Sequence, residues 1–282
     1  MAGLPKEKNK LRLTIIDVGM GDSLFLESID GRGTSQYALI DSNDSTYSRS
    51  SYIFLRRFFE KKQEKVPSSS ALFDWVLMTH AHADHGAGLQ RILKDFGTKY
   101  FWHSDSPNYP VLIAKLLDYA RKSNQVANYE AIDTSAVLPR FGGATMEVLW
   151  PEPGVLDKNE NNNSVVLAIT RGQVTFVLTG DAEADIVWTR ISSKIPKTTK
   201  FFKVPHHGAT NGTFTNANAT PWLAVLPKKA LLGISSHILP YSHPDRKVVN
   251  ALSGRTLYRT DLHYHICVET DGVDVEVSYS HV

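Results

Sequence analysis

Three histidines and a carboxylate fall within six residues in the stretch Thr79-His80-Ala81-His82-Ala83-Asp84-His85-Gly86. Burying so many polar side chains without partners would cost several kcal/mol; a polar turn merely rich in histidine is one reading, but behind a buried strand they can converge on one point. Neutral imidazole and carboxylate are a ligand set for zinc, and they suit manganese or iron as well. His80 and His82, two residues apart, can hold one ion, while Asp84 and His85 can turn toward a second. The setting fits that use, because the apolar run Trp75-Val76-Leu77-Met78 precedes the cluster and Gly86 and Gly88 follow it.

Further ligands of the same chemistry lie downstream. Asp181 stands behind Gly180 at the end of the apolar run 174–179, well placed to bridge two ions. His206 and His207 end the run 201–204 and would complete the second ion's coordination. One of the pair is expected to bind metal and the other to orient it or the substrate. His243 opens a predicted helix through residue 252. His103 ends another strand and could approach the same point, although a hydrogen-bonded surface position suits it better.

These residues need elements to carry them. Runs 11–16 and 24–28 flank a glycine turn and predict a hairpin, and a third strand over 37–40 delivers Asp41. Apolar residues at Tyr52, Ile53, Leu55, Phe58 and Phe59 have helical spacing. Arg56, Arg57, Lys61, Lys62 and Lys65 fill the opposite face, for solvent or for phosphate. The segment 67–70 (Pro-Ser-Ser-Ser) breaks the chain before the metal strand. Helices are predicted over 89–96, 110–123 (opened by Pro110) and 182–191. Strands are predicted over 99–103, 145–150, 165–169, 174–179, 201–204, 222–225, 231–234, 257–261, 265–270 and 273–279. Residues 159–164 read as a turn or helix cap before a buried strand. Strands alternating with helices predict an α/β arrangement, and the lack of a long linker predicts one domain over 1–282.

Composition narrows the class. A chain of 282 residues with 42% apolar content can bury one large core. A net charge of +2 does not announce a nucleic-acid binder. The single cysteine, Cys267, excludes an intramolecular disulfide framework. No apolar run reaches the roughly 20 residues of a membrane span, and residues 1–6 lack the apolar core of a secretion signal. A cytoplasmic location without membrane contact is expected.

His80-Ala81-His82-Ala83-Asp84-His85 resembles the HxHxDH signature of the metallo-β-lactamase-fold hydrolases. Five further stretches resemble, in order, the soluble hydrolase domain of ComEC-type DNA-uptake proteins and their freestanding relatives. They are Asp17-Val18-Gly19-Met20-Gly21-Asp22 (near DVGQGD), Asn162-Asn163-Ser164-Val165-Val166-Leu167, Leu178-Thr179-Gly180-Asp181, Lys203-Val204-Pro205-His206-His207-Gly208 with His243-Pro244, and Tyr258-Arg259-Thr260-Asp261. Together they cover about residues 11–275. The resemblance implies an αββα sandwich with two central mixed sheets and a site holding two divalent ions, zinc or manganese. It implies that Asp17, Asp22 and Asp41 support the site. It also marks a departure: the family's usual third histidine of the first metal site, in a Gly-His-Thr turn, has no counterpart, and residues 161–164 occupy about that position. The membrane channel and nucleic-acid-binding module of full ComEC proteins have no counterpart here either, so a stand-alone domain is expected.

What this implies for activity is hydrolysis of a phosphodiester, with DNA as the foremost substrate. Two ions about 3.5–4 Å apart could hold a hydroxide and neutralise charge on the transferring phosphoryl group. Asp84 would bind the second ion and orient the nucleophile. His206, His207 or His243 would hydrogen-bond phosphate oxygens or protonate the leaving group, and Asn162 and Ser164 would contact phosphate. Lys194, Lys197, Lys200 and Lys203, with Lys228-Lys229 and Arg246-Lys247, could track a nucleic-acid backbone, whereas Trp102, Trp150 and Trp222 suit the core better than base stacking. A small-substrate hydrolase (lactone, thioester or cyclic nucleotide) and a silent regulatory module are the alternatives.

Overall fold

Alternation builds the first strand. In the computed structural model, which describes residues 7–45, 48–62 and 71–280, Leu11, Leu13 and Ile15 turn fully inward along β1 (Lys10–Ile15) and the residues between them do not. β1 pairs antiparallel with β2 (Leu24–Ile29), and β2 with β3 (Ser35–Ile40), as the glycine turn predicts. The apolar spacing after residue 50 forms α1 (Ser50–Lys62), which buries Leu55 and Phe59. β4 (Phe73–Met78) leads into α2 (Ala83–Gly86) and α3 (Leu89–Phe96). β5 (Thr98–His103) leads into α4 (Val111–Lys122), and β3, β4, β5 and β6 (Val126–Ala131) run parallel. Residues 1–6, Lys65 and the 67–70 break lie outside the described residues.

The second half builds a second sheet. β7 (Thr145–Trp150), β8 (Val166–Arg171) and β9 (Val174–Leu178) are antiparallel neighbours. β10 (Thr199–Lys203), β11 (Leu231–Ile234) and β12 (Leu257–Arg259) extend it in parallel. β13 (Ile266–Thr270) and β14 (Val275–Tyr279) return to the first sheet beside β1. The outcome is an eight-stranded sheet, β14-β13-β1-β2-β3-β4-β5-β6, facing a six-stranded one, β12-β11-β10-β9-β8-β7.

Three layers of apolar packing make this an αββα sandwich. Leu13, Ile15, Trp75, Leu77 and Trp102 of the larger sheet meet Leu167, Ile169, Phe176 and Phe201 of the smaller. Leu55, Phe59, Ile92, Leu93, Ile113 and Leu117 close the outer face of the larger sheet with α1, α3 and α4. Val187, Trp188, Ile191, Trp222 and Leu252 cover the other. Trp102, Trp150 and Trp222 are core residues, as expected. Among the described residues, no helix is long and apolar enough to cross a membrane.

Several elements differ from the sequence expectations: the strand expected over 257–261 stops at Arg259 and Thr260–His263 turns helical, and the helix expected to open at His243 begins at Arg246 behind an Asp245 cap. β6 went unpredicted because only Val126 is buried in an otherwise polar edge strand. Residues 222–225 are not a strand but part of a short helix, Pro221–Val225, started by a proline in its first turn. The helix expected over 182–191 is a π-helical turn, Ala184–Trp188, followed by a brief α turn, Thr189–Ile191.

Because β3, β4, β9 and β10 all end at one rim, their C-terminal turns meet there. Val165 N donates to Thr79 O at 2.9 Å, tying the smaller sheet to the larger, and His206 N donates to Gly180 O at 3.1 Å, joining the turns after β10 and β9. Behind the rim the sheets approach closely at Gly233, where a Cβ would fall 2.6 Å from the Phe201 ring and 2.8 Å from Ile15 Cδ1. Gly233→Ala is expected to cost about 1–3 kcal/mol of unfolding free energy through overpacking, read by denaturant titration. Unchanged stability would mean that the sheets give way at this point.

Candidate metal centre

The site begins with a carboxylate that touches no solvent. Asp41, in a left-handed conformation (φ 58°) just past β3, accepts hydrogen bonds from Thr79 N (2.7 Å) and Thr79 Oγ1 (2.6 Å). His85 Nδ1 donates to its second oxygen at 2.7 Å. Asp41 thereby ties β3 to the turn after β4 and aims His85 Nε2 the other way. That nitrogen is buried and has no hydrogen-bond partner.

It points at Asp181. The Asp181 carboxylate is the hub of the cluster: Oδ2 lies 3.3 Å from His85 Nε2, 3.7 Å from His206 Nε2 and 3.8 Å from His80 Nε2. Oδ1 lies 3.4 Å from His207 Nε2. Its backbone N–H donates to Ser164 Oγ at 3.0 Å, which holds the turn in place. Asp84 Oδ2 sits 3.9 Å from His85 Nε2 and 3.8 Å from His207 Nε2. Ligand atoms of Asp84, His85, Asp181 and His207 all lie within 4.8 Å of one another. Asp181 Oδ1 and His207 Nε2, like His85 Nε2, are buried without hydrogen-bond partners. Buried polar atoms of this kind are rare unless something else satisfies them. A donor set of imidazoles and carboxylates with unpartnered atoms pointed inward fits a divalent metal ion.

The paired histidines diverge. Both have left-handed backbones, φ 51° for His206 and 53° for His207, and their rings lie 6.2 Å apart at 69°. His207 is buried, its Nδ1 fixed by Ser235 O at 2.9 Å, and it faces Asp84. His206 faces the Asp181 oxygen that His80 also approaches. His82 Nδ1 lies 3.0 Å from His80 Nε2, close enough to share an ion with it.

Electrostatics follow from burial. Desolvation, reinforced by the neighbouring His85, holds the His80 pKa well below that of a free histidine. Desolvation likewise lowers His206, so both are neutral imidazoles suited to ligation. For His85 and His207, burial opposes charge, but Asp181 outweighs it together with Asp41 for His85 and Asp22 for His207, and both pKa values rise. In turn His207, His85 and His206 overcome desolvation and pull Asp181 well below the usual carboxylate range.

The supporting residues sort by contact. Asp22 is buried and paired with Lys203 Nζ at 2.8 Å, with Oδ1 3.6 Å from His207 Nδ1. Lys203 therefore leaves the basic cluster in which the sequence placed it. It points inward from β10 and neutralises Asp22 instead of meeting a nucleic-acid backbone. Asp17 accepts from Gly19 N at 3.1 Å and closes the turn, without touching the ligand cluster. That turn packs against the metal loop so closely that a Cβ on Gly21 would fall 2.4 Å from Asp84 O.

An open pocket of about 340 Å³ exposes the cluster, lined by Met20, His82, Ala83, Asp84, Asn161, Asp181, His206, Tyr241 and His243. His243 reaches it because Gly208 docks on Pro244 and accepts from Asp245 N at 2.9 Å; the His243 ring lies 6.2 Å from His206. Its Nδ1 is buried and unpartnered, and desolvation lowers its pKa. Asn162 and Ser164, expected to meet phosphate, are buried behind the wall. Asn162 O accepts from Trp150 Nε1 at 2.7 Å, and Ser164 Oγ is taken by Asp181 N. The short 3₁₀ turn Glu160–Asn163 presents Asn161 to the pocket, one residue from the expected position. His103 is not at the site; it is buried with Nδ1 2.8 Å from Ser104 O and its ring 4.8 Å from Tyr129.

Comparison with known proteins agrees with this geometry. The family model described as the metallo-beta-lactamase superfamily matches residues 73–218, about half of the chain. "ComE operon protein 3" of Bacillus subtilis is 28% identical over 264 residues, 88% of this chain and 31% of that protein. "Recombination protein 2" of Haemophilus influenzae is 28% identical over 140 residues, 49% of this chain and 15% of that protein. The chain thus spans less than a third of the length of either curated relative. Among solved structures, the metallo-beta-lactamase fold protein YhfI of Bacillus subtilis superposes with a TM-score of 0.53 at 13% identity, covering 95% of this chain and 100% of that one. The chain belongs to the metallo-beta-lactamase superfamily, and the two curated relatives agree with the ComEC-like branch that its ordered motifs resemble.

Asp41→Ala removes the acceptor that aims His85 and leaves two buried Thr79 donors unpaired. Affinity for a divalent ion is expected to fall about 10–100-fold, measured by competition with a chromogenic chelator. Wild-type affinity in that variant would deny Asp41 its orienting role.

Proposed function

We propose that this member of the metallo-beta-lactamase superfamily is a two-metal phosphodiesterase that acts on nucleic acid, with DNA as its substrate, in the cytoplasm. The observation that carries the reading is the convergence of partnerless imidazole and carboxylate atoms on Asp181 at the floor of an open pocket. One ion, zinc or manganese, would be held by His80, His82, His206 and Asp181. The other would be held by Asp84, His85, His207 and the same Asp181, within the single domain proposed for residues 1–282. Bound there, the pair supplies Lewis-acid charge for a phosphoryl oxygen and makes water acidic enough to ionise near neutral pH.

This chain's own residues do the rest. Asp84, only partly buried at the pocket floor, holds the attacking water's proton side by hydrogen bonding. His243 stands across the pocket from it and donates a hydrogen bond to a phosphate oxygen or to the departing one. Asn161, whose Nδ2 gives one hydrogen to Glu183 Oε1 at 2.8 Å, keeps its second amide hydrogen for a phosphate oxygen of the substrate. Among the described residues, no lysine or arginine lines the pocket, so phosphate charge there falls to the ions and the histidines. Preference for DNA is supported by the ordered resemblance to DNA-uptake proteins and by a relative whose name is a recombination protein.

Purified protein supplied with manganese is expected to degrade end-labelled linear DNA, and Asp181→Ala to abolish the reaction. His243→Ala is expected to lower kcat about 10²–10⁴-fold while retaining its ions. If metal-loaded protein cleaves neither single- nor double-stranded DNA, the DNA reading is lost and a small ester, thioester or cyclic nucleotide takes its place.

A further inference from the structure

Among the described residues, the wall of the metal pocket holds no lysine or arginine, yet a polyanionic strand needs an anchor. A second concavity, of about 620 Å³, runs along α1 and is lined by Arg49, Ile53, Phe54, Arg57, Lys61 and His265, among others. Arg49, Ile53, Arg57 and Lys61 are spaced four apart and so lie along one ridge. At about 1.5 Å per residue, that ridge runs for roughly 18 Å. Its cations are exposed. Arg56 and Lys62, on the neighbouring faces, are held by Glu60 and Glu27; among the described residues, no carboxylate forms an ion pair with Arg49, Arg57 or Lys61. Between them lies an apolar strip: Ile53 is 46% exposed, and Phe54 packs edge-on to His265 with centroids 5.2 Å apart.

The groove and the metal pocket have separate walls, joined by one turn. His265 Nδ1 accepts from Asp17 N at 2.9 Å, and the turn from Asp17 runs to Met20, a residue of the metal pocket's wall. From the other side, Asn43 Nδ2 donates to Met20 O. The adjoining Asp44 caps α1 by accepting from Ser51 N at 2.9 Å and Tyr52 N at 2.8 Å. The Arg49 end of the ridge is thus fastened to the catalytic rim, and the Lys61 end points away from it.

We propose that this groove holds a single strand of nucleic acid leading into the metal pocket, which rests on the phosphodiesterase reading above. Arg49, Arg57 and Lys61 contact successive phosphates, and the Ile53–Phe54 strip meets the base faces. A row of cations flanking an apolar, aromatic strip is the arrangement that binds unpaired strands without regard to sequence, whereas a duplex hides its base faces from such a strip. The two fates open to the basic face of α1, solvent or phosphate, divide by residue: Arg56 and Lys62 belong to ion pairs, while Arg57 and Lys61 face the strand.

The test uses a labelled short oligothymidylate with hydrolysis-resistant phosphorothioate linkages, titrated by fluorescence anisotropy over a range of salt. Relative to the full wild-type chain, Arg57→Gln with Lys61→Gln is expected to weaken binding about tenfold at low salt. The slope of log affinity against log salt should shrink by about 0.7 for each phosphate that is no longer neutralised. An abasic strand of equal charge should bind the wild type about fivefold more weakly. Equal binding and slope in the double variant, equal binding of the abasic strand, or tighter binding of a duplex through the same two residues would each overturn the proposal. Turnover of the same oligothymidylate with ordinary phosphodiester linkages, and of bis(p-nitrophenyl) phosphate, too small to reach α1, is read in parallel on the same proteins. The oligonucleotide-to-small-ester ratio of kcat/KM should fall by the binding factor. A wild type that binds the strand through Arg57 and Lys61 but hydrolyses neither substrate would sink the phosphodiesterase reading and leave the groove standing.

Discussion

Negative charge is concentrated where water is not. Asp22, Asp41 and Asp181 are all but sealed from solvent, and Asp84 is partly buried beside them. Among the described residues, Lys203 is the one buried ammonium that answers them, through Asp22. Several kcal/mol per uncompensated buried ion is the usual cost, so the rim is stable only if further positive charge arrives. Burial lowers the pKa values of His85 and His207, but the surrounding carboxylates, Asp181 foremost, raise them on balance. A pair of divalent ions would supply the positive charge, since the partnerless nitrogens and oxygens already face inward. The fold can be understood as a device for holding this charge together.

That requirement explains otherwise unfavourable backbone choices. Asp41, His206 and His207 all adopt left-handed conformations, which cost non-glycine residues about 1–2 kcal/mol each. Each one turns a side chain from the direction of its strand into the centre. For the adjacent histidines, the double reversal sends one ring to each oxygen of Asp181, so a single loop brings two imidazoles to the cluster. The neighbouring glycines permit close stacking of loops. Gly21 lets the first hairpin rest on the Asp84 peptide, and Gly208 lets the histidine loop rest on Pro244, carrying His243 to the pocket's edge.

Much of this was legible in the chain. The density of His80, His82, Asp84 and His85 admitted few readings other than metal, and Asp181 behind a buried strand followed from the same logic. The αββα layering followed from strand–helix alternation together with the resemblance. What stayed hidden depended on geometry that sequence spacing does not encode. The divergence of the His206 and His207 rings rests on two positive φ angles. Lys203 looked like one member of a basic run, because its neutralising partner Asp22 lies in a turn far earlier in the chain. Asn161 replaces Asn162 at the pocket because a 3₁₀ turn rotates its side chains by amounts that a run of three asparagines cannot reveal. The misread segment 222–225 shows the ambiguity of short apolar runs, since one buried tryptophan served a helical turn as well as a strand.

Asp181 and the imidazoles around it are expected to bind divalent metal. The most direct measurement is anomalous diffraction from crystals of the chain grown with manganese or zinc, recorded on either side of the metal edge. Anomalous density is expected on both sides of Asp181, one peak within about 2.0–2.2 Å of His85, His207 and a carboxylate oxygen, as first-row ions require. The other should lie beside His80, His82 and His206. Metal-grown crystals with an intact fold and no anomalous density among these side chains would contradict it.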